Sequence, residues 1–187
     1  TVDIKTWCAL ICTHNNMPLL HHFASKPDGL GPNSRTFMLN TAASSGNLEA
    51  VKFLVSLVPP PYDHAVTEVV CGNGNIEIMR YLISIGAEVT CHDNFALLVA
   101  ASKGYSDIVD LLLETGVDLS IGGANALVAA VEGGHTTAAV SLIEAGVSHT
   151  IQNYKLLYIA AKRGYVELAR YLIGKGATHA AYSNALC

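Results

Sequence analysis

Charge is scarce in this sequence. Asp, Glu, Lys and Arg make up only 14% of its 187 residues, where a typical soluble domain has about a quarter. Hydrophobic residues make up 51%, so the chain has a core to bury and intrinsic disorder is excluded. Basic residues are the scarcer sign, eleven against fifteen acidic ones for a formal charge of −4. A protein that works by neutralising phosphates needs the opposite balance, so nucleic acid is not an expected partner. Long apolar runs are missing too. The stretch from Phe95 to Ala101 meets Lys103 within a turn, far short of the roughly 18 apolar residues of a membrane span.

Export signals and catalytic fingerprints are also absent. Thr1-Val-Asp-Ile-Lys5 has neither the basic nor the apolar region of a secretory signal, and no Asn-x-Ser/Thr acceptor occurs. The five cysteines, Cys8, Cys12, Cys71, Cys91 and Cys187, are odd in number and scattered, unlike a disulfide framework. Reduced thiols in an intracellular, cytoplasm-like compartment are the expectation. There is no Gly-x-Ser-x-Gly, no Gly-x4-Gly-Lys-Ser/Thr, no His-Glu-x-x-His and no Cys-x-x-Cys. Gly72-Asn-Gly74 lacks the third glycine of a dinucleotide fingerprint. No cofactor is therefore implied.

What is present is a repeat. Gly74, Gly104, Gly134 and Gly164 stand 30 residues apart, and Gly86, Gly116, Gly146 and Gly176 keep the same interval. Between the two series, apolar residues recur at three and four, as in Ile76, Ile78, Met79, Leu82 and Ile83, which predicts a helix with one buried stripe. Glu49, Glu77, Asp107 and Glu167 sit in its first turn, against the positive end of the helix dipole, and glycine follows its end. Before each first-series glycine runs an alanine-rich stretch, such as Ala96-Leu-Leu-Val-Ala-Ala-Ser-Lys103. It predicts a second helix whose small side chains admit close neighbours. Helix, tight turn, helix and connector, repeated at this period, imply a stacked all-α solenoid.

Ala100-Ala-Ser-Lys-Gly-Tyr-Ser-Asp-Ile-Val-Asp-Leu-Leu-Leu-Glu-Thr-Gly-Val-Asp118 resembles the ankyrin repeat pattern, and Ala160–Ala177 and Ala42–Val55 are similar. The resemblance covers Arg35 to about His179. It implies an ankyrin-repeat solenoid of helix-turn-helix units with five clear repeats, near 35–64, 65–94, 95–124, 125–154 and 155–184. Trp7–Phe23 can be laid over Phe37–Leu54 as a degenerate first repeat, with Asn15 in the place of glycine, so residues 1–34 are expected to be that repeat and an irregular connector from Ser25.

The departures from the family pattern are specific. Its Thr-Pro-Leu-His opening is replaced by Phe95-Ala-Leu-Leu, Asn125-Ala-Leu-Val and Lys155-Leu-Leu-Tyr, so a Thr–His hydrogen-bond network is not expected. The three residues by which the period falls short of about 33 are missing from the hairpin finger. Short-fingered arrays of this kind resemble those of large DNA viruses and intracellular bacteria. Asn184-Ala-Leu-Cys187 resembles the opening of a further first helix, and on that ground the chain is expected to be a piece of a longer protein.

Cys8, Cys12, His14, His21 and His22 have the chemistry of zinc ligands. Their spacing fits no common site, and packing of the cysteines is the favoured reading. His135 occupies the family's usual His position. Pro59-Pro60-Pro61-Tyr62 is similar to the ligand of WW domains. The alternative, preferred, is that these prolines stop a helix after Val58 and bridge a short connector.

Partners of ankyrin arrays bind the concave face, made of finger tips and the exposed side of the first helix. Carried over residue by residue, that face presents His92, Asp93, Ser102, Lys103, Glu132, Gln152, Asn153, Lys155, Lys162 and Arg163, with Tyr154 and Tyr158 beside them. In the preceding repeats Ser44, Ser45 and Asn73 occupy the same places. Tyr and Arg are over-represented among interface hot spots, so the contact is expected at the basic C-terminal end; the alternative is an ordinary solvated helix face. The expectation is a non-catalytic scaffold for a protein partner, with no metal. A second reading makes the array the targeting part of a larger enzyme or of a pathogen effector acting in a host cytosol.

Overall fold

The computed structural model describes residues 10–12, 14, 16–24, 32–57, 64–89, 91–147 and 153–177. Two compact units divide the chain, Thr1–Val89 and Thr90–Cys187. Among the described residues all regular elements are helical. In the first unit they are α1 (Met17–Ala24), α2 (Pro32–Ser44), α3 (Leu48–Leu57), α4 (His64–Asn73) and α5 (Ile76–Ser84). In the second they are α6 (Cys91–Lys103), α7 (Ser106–Glu114), α8 (Gly123–Gly133), α9 (Thr136–Glu144), α10 (Asn153–Arg163) and α11 (Val166–Gly174). Helix α2 begins at Pro32, inside the stretch read as connector, because proline is well suited to a first helical turn.

Each pair forms for the same local reasons. In α7, Ile108, Val109, Leu111 and Leu112 make one buried stripe, and Asp107 faces the positive end of the dipole. Helix α9 holds Ala138, Ala139, Leu142 and Ile143 in the same way. Both glycine series end helices. Gly146 and Val147 return their amides to Ile143 O and Leu142 O, each at 3.1 Å, and Gly134 and His135 return theirs to Val131 O and Ala130 O at 3.1 and 2.9 Å. These are the paired bonds of a Schellman cap, which needs a left-handed residue where the glycine stands. The residue after each first-series glycine therefore closes one helix and opens the next.

Inside each unit, first helices pack on first helices and second on second: α2 on α4 and α3 on α5, then α6 on α8 on α10 and α7 on α9 on α11. Close approach of the first helices rests on small, fully buried residues. Ala42 and Ala43 in α2, Ala100 and Ala101 in α6, and Ala130 in α8 have no exposed surface. Leu54, Leu82, Leu112, Leu142 and Leu172 fill the same place in successive second helices and are wholly buried. Leu to Ala at such a site costs about 2–5 kcal/mol.

The last described repeat is the exception. Ile143 is 6% exposed, whereas Ile173, its counterpart in α11, is 54% exposed, and Val166 is 58% exposed.

Candidate functional site

The exposed side of the first helices is the surface on which the family pattern places binding, so its construction matters most. Two devices fix it. The first is the residue after the turn glycine, which reaches back one repeat. Asn47 donates Nδ2–H to Cys12 O at 3.2 Å while its Oδ1 caps α3 at the Ala50 amide, 3.0 Å away. Asn75 donates to Ala43 O at 3.3 Å. His135 Nε2 lies 3.1 Å from Ser102 O, and a carbonyl can only accept, so the ring carries its proton on Nε2.

Asn75 and His135 also lie against the preceding turn glycine, Gly46 and Gly104 respectively. A Cβ built on Gly104 would fall on the His135 ring, 2.7 Å from its Cγ. The sequence places His135 at the family's usual His position, and its ring occupies the face of the preceding turn, which the sequence does not show.

The second device was missed altogether. Asn94 is 3% exposed and has φ of 59°, the one non-glycine residue with positive φ among those described. Its Nδ2 donates to Asp118 O at 2.9 Å and to Ile121 O at 2.8 Å, tying the start of α6 to the connector ahead of α8. Asn tolerates the left-handed region better than other side chains, and that was the available signal. In the first unit Thr67, 3% exposed, sends a longer bond of 3.4 Å to Glu88 O in the corresponding connector.

The connector has a local bond of its own. Ser120 donates its amide to Asp118 Oδ1 at 2.9 Å. Hydrogen bonding from the Ser120 side chain, then from its backbone, holds the Asp118 carboxyl below 3.8, with a smaller opposing effect of desolvation.

On this frame the second unit presents Phe95, Ser102 and Lys103 from α6, Asn125 and Glu132 from α8, and Lys155, Tyr158, Lys162 and Arg163 from α10, all exposed. Tyr158 is 53% and Phe95 41% exposed. Lys162 Nζ stands 5.7 Å from the Tyr158 ring centroid, within cation–π reach. The structure thus brings together Lys155, Tyr158 and Lys162 on one face of α10, with Arg163 beside them. Backbone at His92, Asp93, Asn153 and Tyr154 is helical, but their side chains lie outside what the structure describes, and so do Gln152 and the Pro59, Pro60, Tyr62 motif. Ser44, Ser45 and Asn73 are exposed in the first unit, where Asn73 donates to Ser44 O at 3.4 Å.

Elsewhere described residues line shallow hollows. One of about 300 Å³ is lined by Leu10, Ile11, His14, Asn16 and Leu19. Another, about 410 Å³ and open, runs between α7 and α9 along Asp110, Leu113, Glu114, Ser141 and Glu144. Cys12 is buried with its thiol 3.7 Å from Met38 O, and the His14 ring nitrogen Nδ1 donates to Leu10 O at 3.1 Å. Cys8 is outside the described residues. Among the described residues no group of three or more His, Cys, Asp or Glu could hold a metal, and no helix is long and apolar enough to cross a membrane.

Helix pairs capped by left-handed glycine and stacked like on like define a helical-repeat solenoid. Residues 39–122 match the family model for ankyrin repeats in three copies. Among solved structures the chain is similar to the human ASB11 ankyrin repeat domain, at 25% identity and a TM-score of 0.65, covering 75% of this chain and 69% of that one. A search of curated proteins gave no match. Residues 39–122 are thus similar to ankyrin repeats, which generally mediate protein–protein interaction.

Proposed function

We propose that the chain is a non-catalytic scaffold that binds a protein partner on the exposed side of its first helices, centred on α10. The observation that carries this reading is the grouping of Lys155, Tyr158, Lys162 and Arg163 in the open on one helix. Tyr and Arg are over-represented among interface hot spots, and Tyr158 and Arg163 supply both here.

The test is affinity capture from a cytosolic extract. Wild type is compared with a Lys155, Lys162 and Arg163 triple alanine variant and with Tyr62→Ala. A partner held by wild type and by Tyr62→Ala, and released by the triple variant, is the expected result. Equal capture by wild type and the triple variant would move the interface off α10.

A further inference from the structure

Charge in the second unit is sharply divided along the chain. Residues 90–144 hold seven acidic side chains and one basic, while residues 145–187 hold five basic and one acidic. Much of the basic excess is on α10, which carries no Asp or Glu. Lys155, Lys162 and Arg163 are exposed and make no ion pair among the described residues.

Lys155, Tyr158 and Lys162 are spaced i, i+3 and i+7, which places them on one stripe. From Lys155 to Lys162 the stripe runs about 10 Å, at about 1.5 Å per residue. An extended segment of the polyproline II type advances about 3.1 Å per residue with three residues per turn, so side chains three apart share one side and cover about the same distance. From this we infer that the α10 stripe recognises an acidic protein segment in extended form. Two carboxylates about three residues apart meet Lys155 and Lys162, and an apolar side chain between them lies on Tyr158. This rests on the proposed function above and names the chemistry of the partner at that same surface.

The charge division also separates this partner from other anions. A nucleic acid or an anionic membrane extends well beyond the stripe, toward Glu132 on the neighbouring first helix α8, in a chain of net charge −4. Such repulsion acts over about one Debye length, roughly 8 Å at physiological salt. A short acidic segment stays on the stripe. Glu132 holds in α8 the position that Lys162 holds in α10, and it is exposed. It limits the acidic register to α10 and favours a neutral or basic residue in the part of the segment that continues toward α8.

A random peptide library displayed on phage, selected on the full chain at low salt, tests this. Expected are sequences with paired acidic residues flanking an apolar one. Their affinity falls at least about tenfold on K155Q/K162Q/R163Q, and several-fold on Tyr158→Ser, as hot-spot loss predicts. Selected sequences with no acidic excess overturn the inference, and so does tighter binding of phosphatidylserine vesicles or single-stranded DNA. Peptides indifferent to the charge removal but lost on Tyr158→Ser would refute acidic recognition while leaving an α10 interface in place. Peptides indifferent to both variants would refute the interface as well. Thermal unfolding of each variant, expected unchanged because all four side chains are exposed, separates lost contacts from lost fold.

Discussion

Replacing Gly104 by alanine tests how adjacent repeats interlock. Two costs fall on the new methyl group. Gly104 has φ of +75°, and a left-handed conformation costs an L-residue about 1–2 kcal/mol. The methyl would also fall on the His135 ring, 2.7 Å from Cγ. That ring atom is one bond from the backbone-bound Cβ, so the ring cannot swing clear without leaving its rotamer and its bond to Ser102 O. Crowding of this kind adds about 1–3 kcal/mol. Gly116, with φ of +77° and nothing within 4 Å of its absent Cβ, carries the first cost alone. Thermal unfolding should therefore place Gly104→Ala below Gly116→Ala by about 2–12 °C, at 2–4 °C per kcal/mol for a chain of this size. In a His135→Ala background the two glycine substitutions should cost the same. Equal costs in the wild-type background, or an undiminished difference without the ring, would refute the interlock.

Three further predictions concern the frame and its end. Asn94→Gly keeps the left-handed backbone and loses two hydrogen bonds, for about 1–3 kcal/mol, while Asn94→Ala adds about 1–2 kcal/mol of strain; urea unfolding giving equal losses would contradict the role of φ. Asp118 should titrate by NMR below 3.8 in the folded chain, and Ser120→Ala should raise it, because the hydrogen bonds from Ser120 favour its charged form. A folded value held below the unfolded one means that this group's stabilisation is complete above about 3.8 and is lost as pH falls through the lower folded value. Ile143→Ala should cost about 2–5 kcal/mol, whereas Ile173→Ala, at a site 54% exposed, should cost under about 1 kcal/mol by the same urea measurement.

The repeat architecture was legible because glycine is nearly irreplaceable where φ is positive. Two series at one interval mark the ends of both helices, and apolar spacing between them marks the buried stripe. Side-chain traffic between repeats was far less legible. Nothing in the letter His at 135 says that its ring lies on Gly104, since that follows only from the stacking distance of two first helices. Asn94 carried a faint signal, an Asn ahead of an apolar helix, but its two acceptors lie 24 and 27 residues further on. Replacement of the Thr–His opening left open what would steady the start of the first helix, and in α6 it is Asn94. The α10 stripe could be placed on one face by spacing alone. The contact of Lys162 with the Tyr158 ring is a finding of side-chain geometry.

The most direct test of the central claim is side-chain footprinting by hydroxyl radicals, on the full chain alone and with its captured partner bound. Tyr158 on α10 is 53% exposed, and Val166 and Ile173 on α11 are 58% and 54% exposed, so all three react in the free chain. A partner seated on the first helices protects Tyr158 and leaves Val166 and Ile173 reactive. Protection of Val166 and Ile173 with Tyr158 still open would place the partner on the second helices and contradict the account.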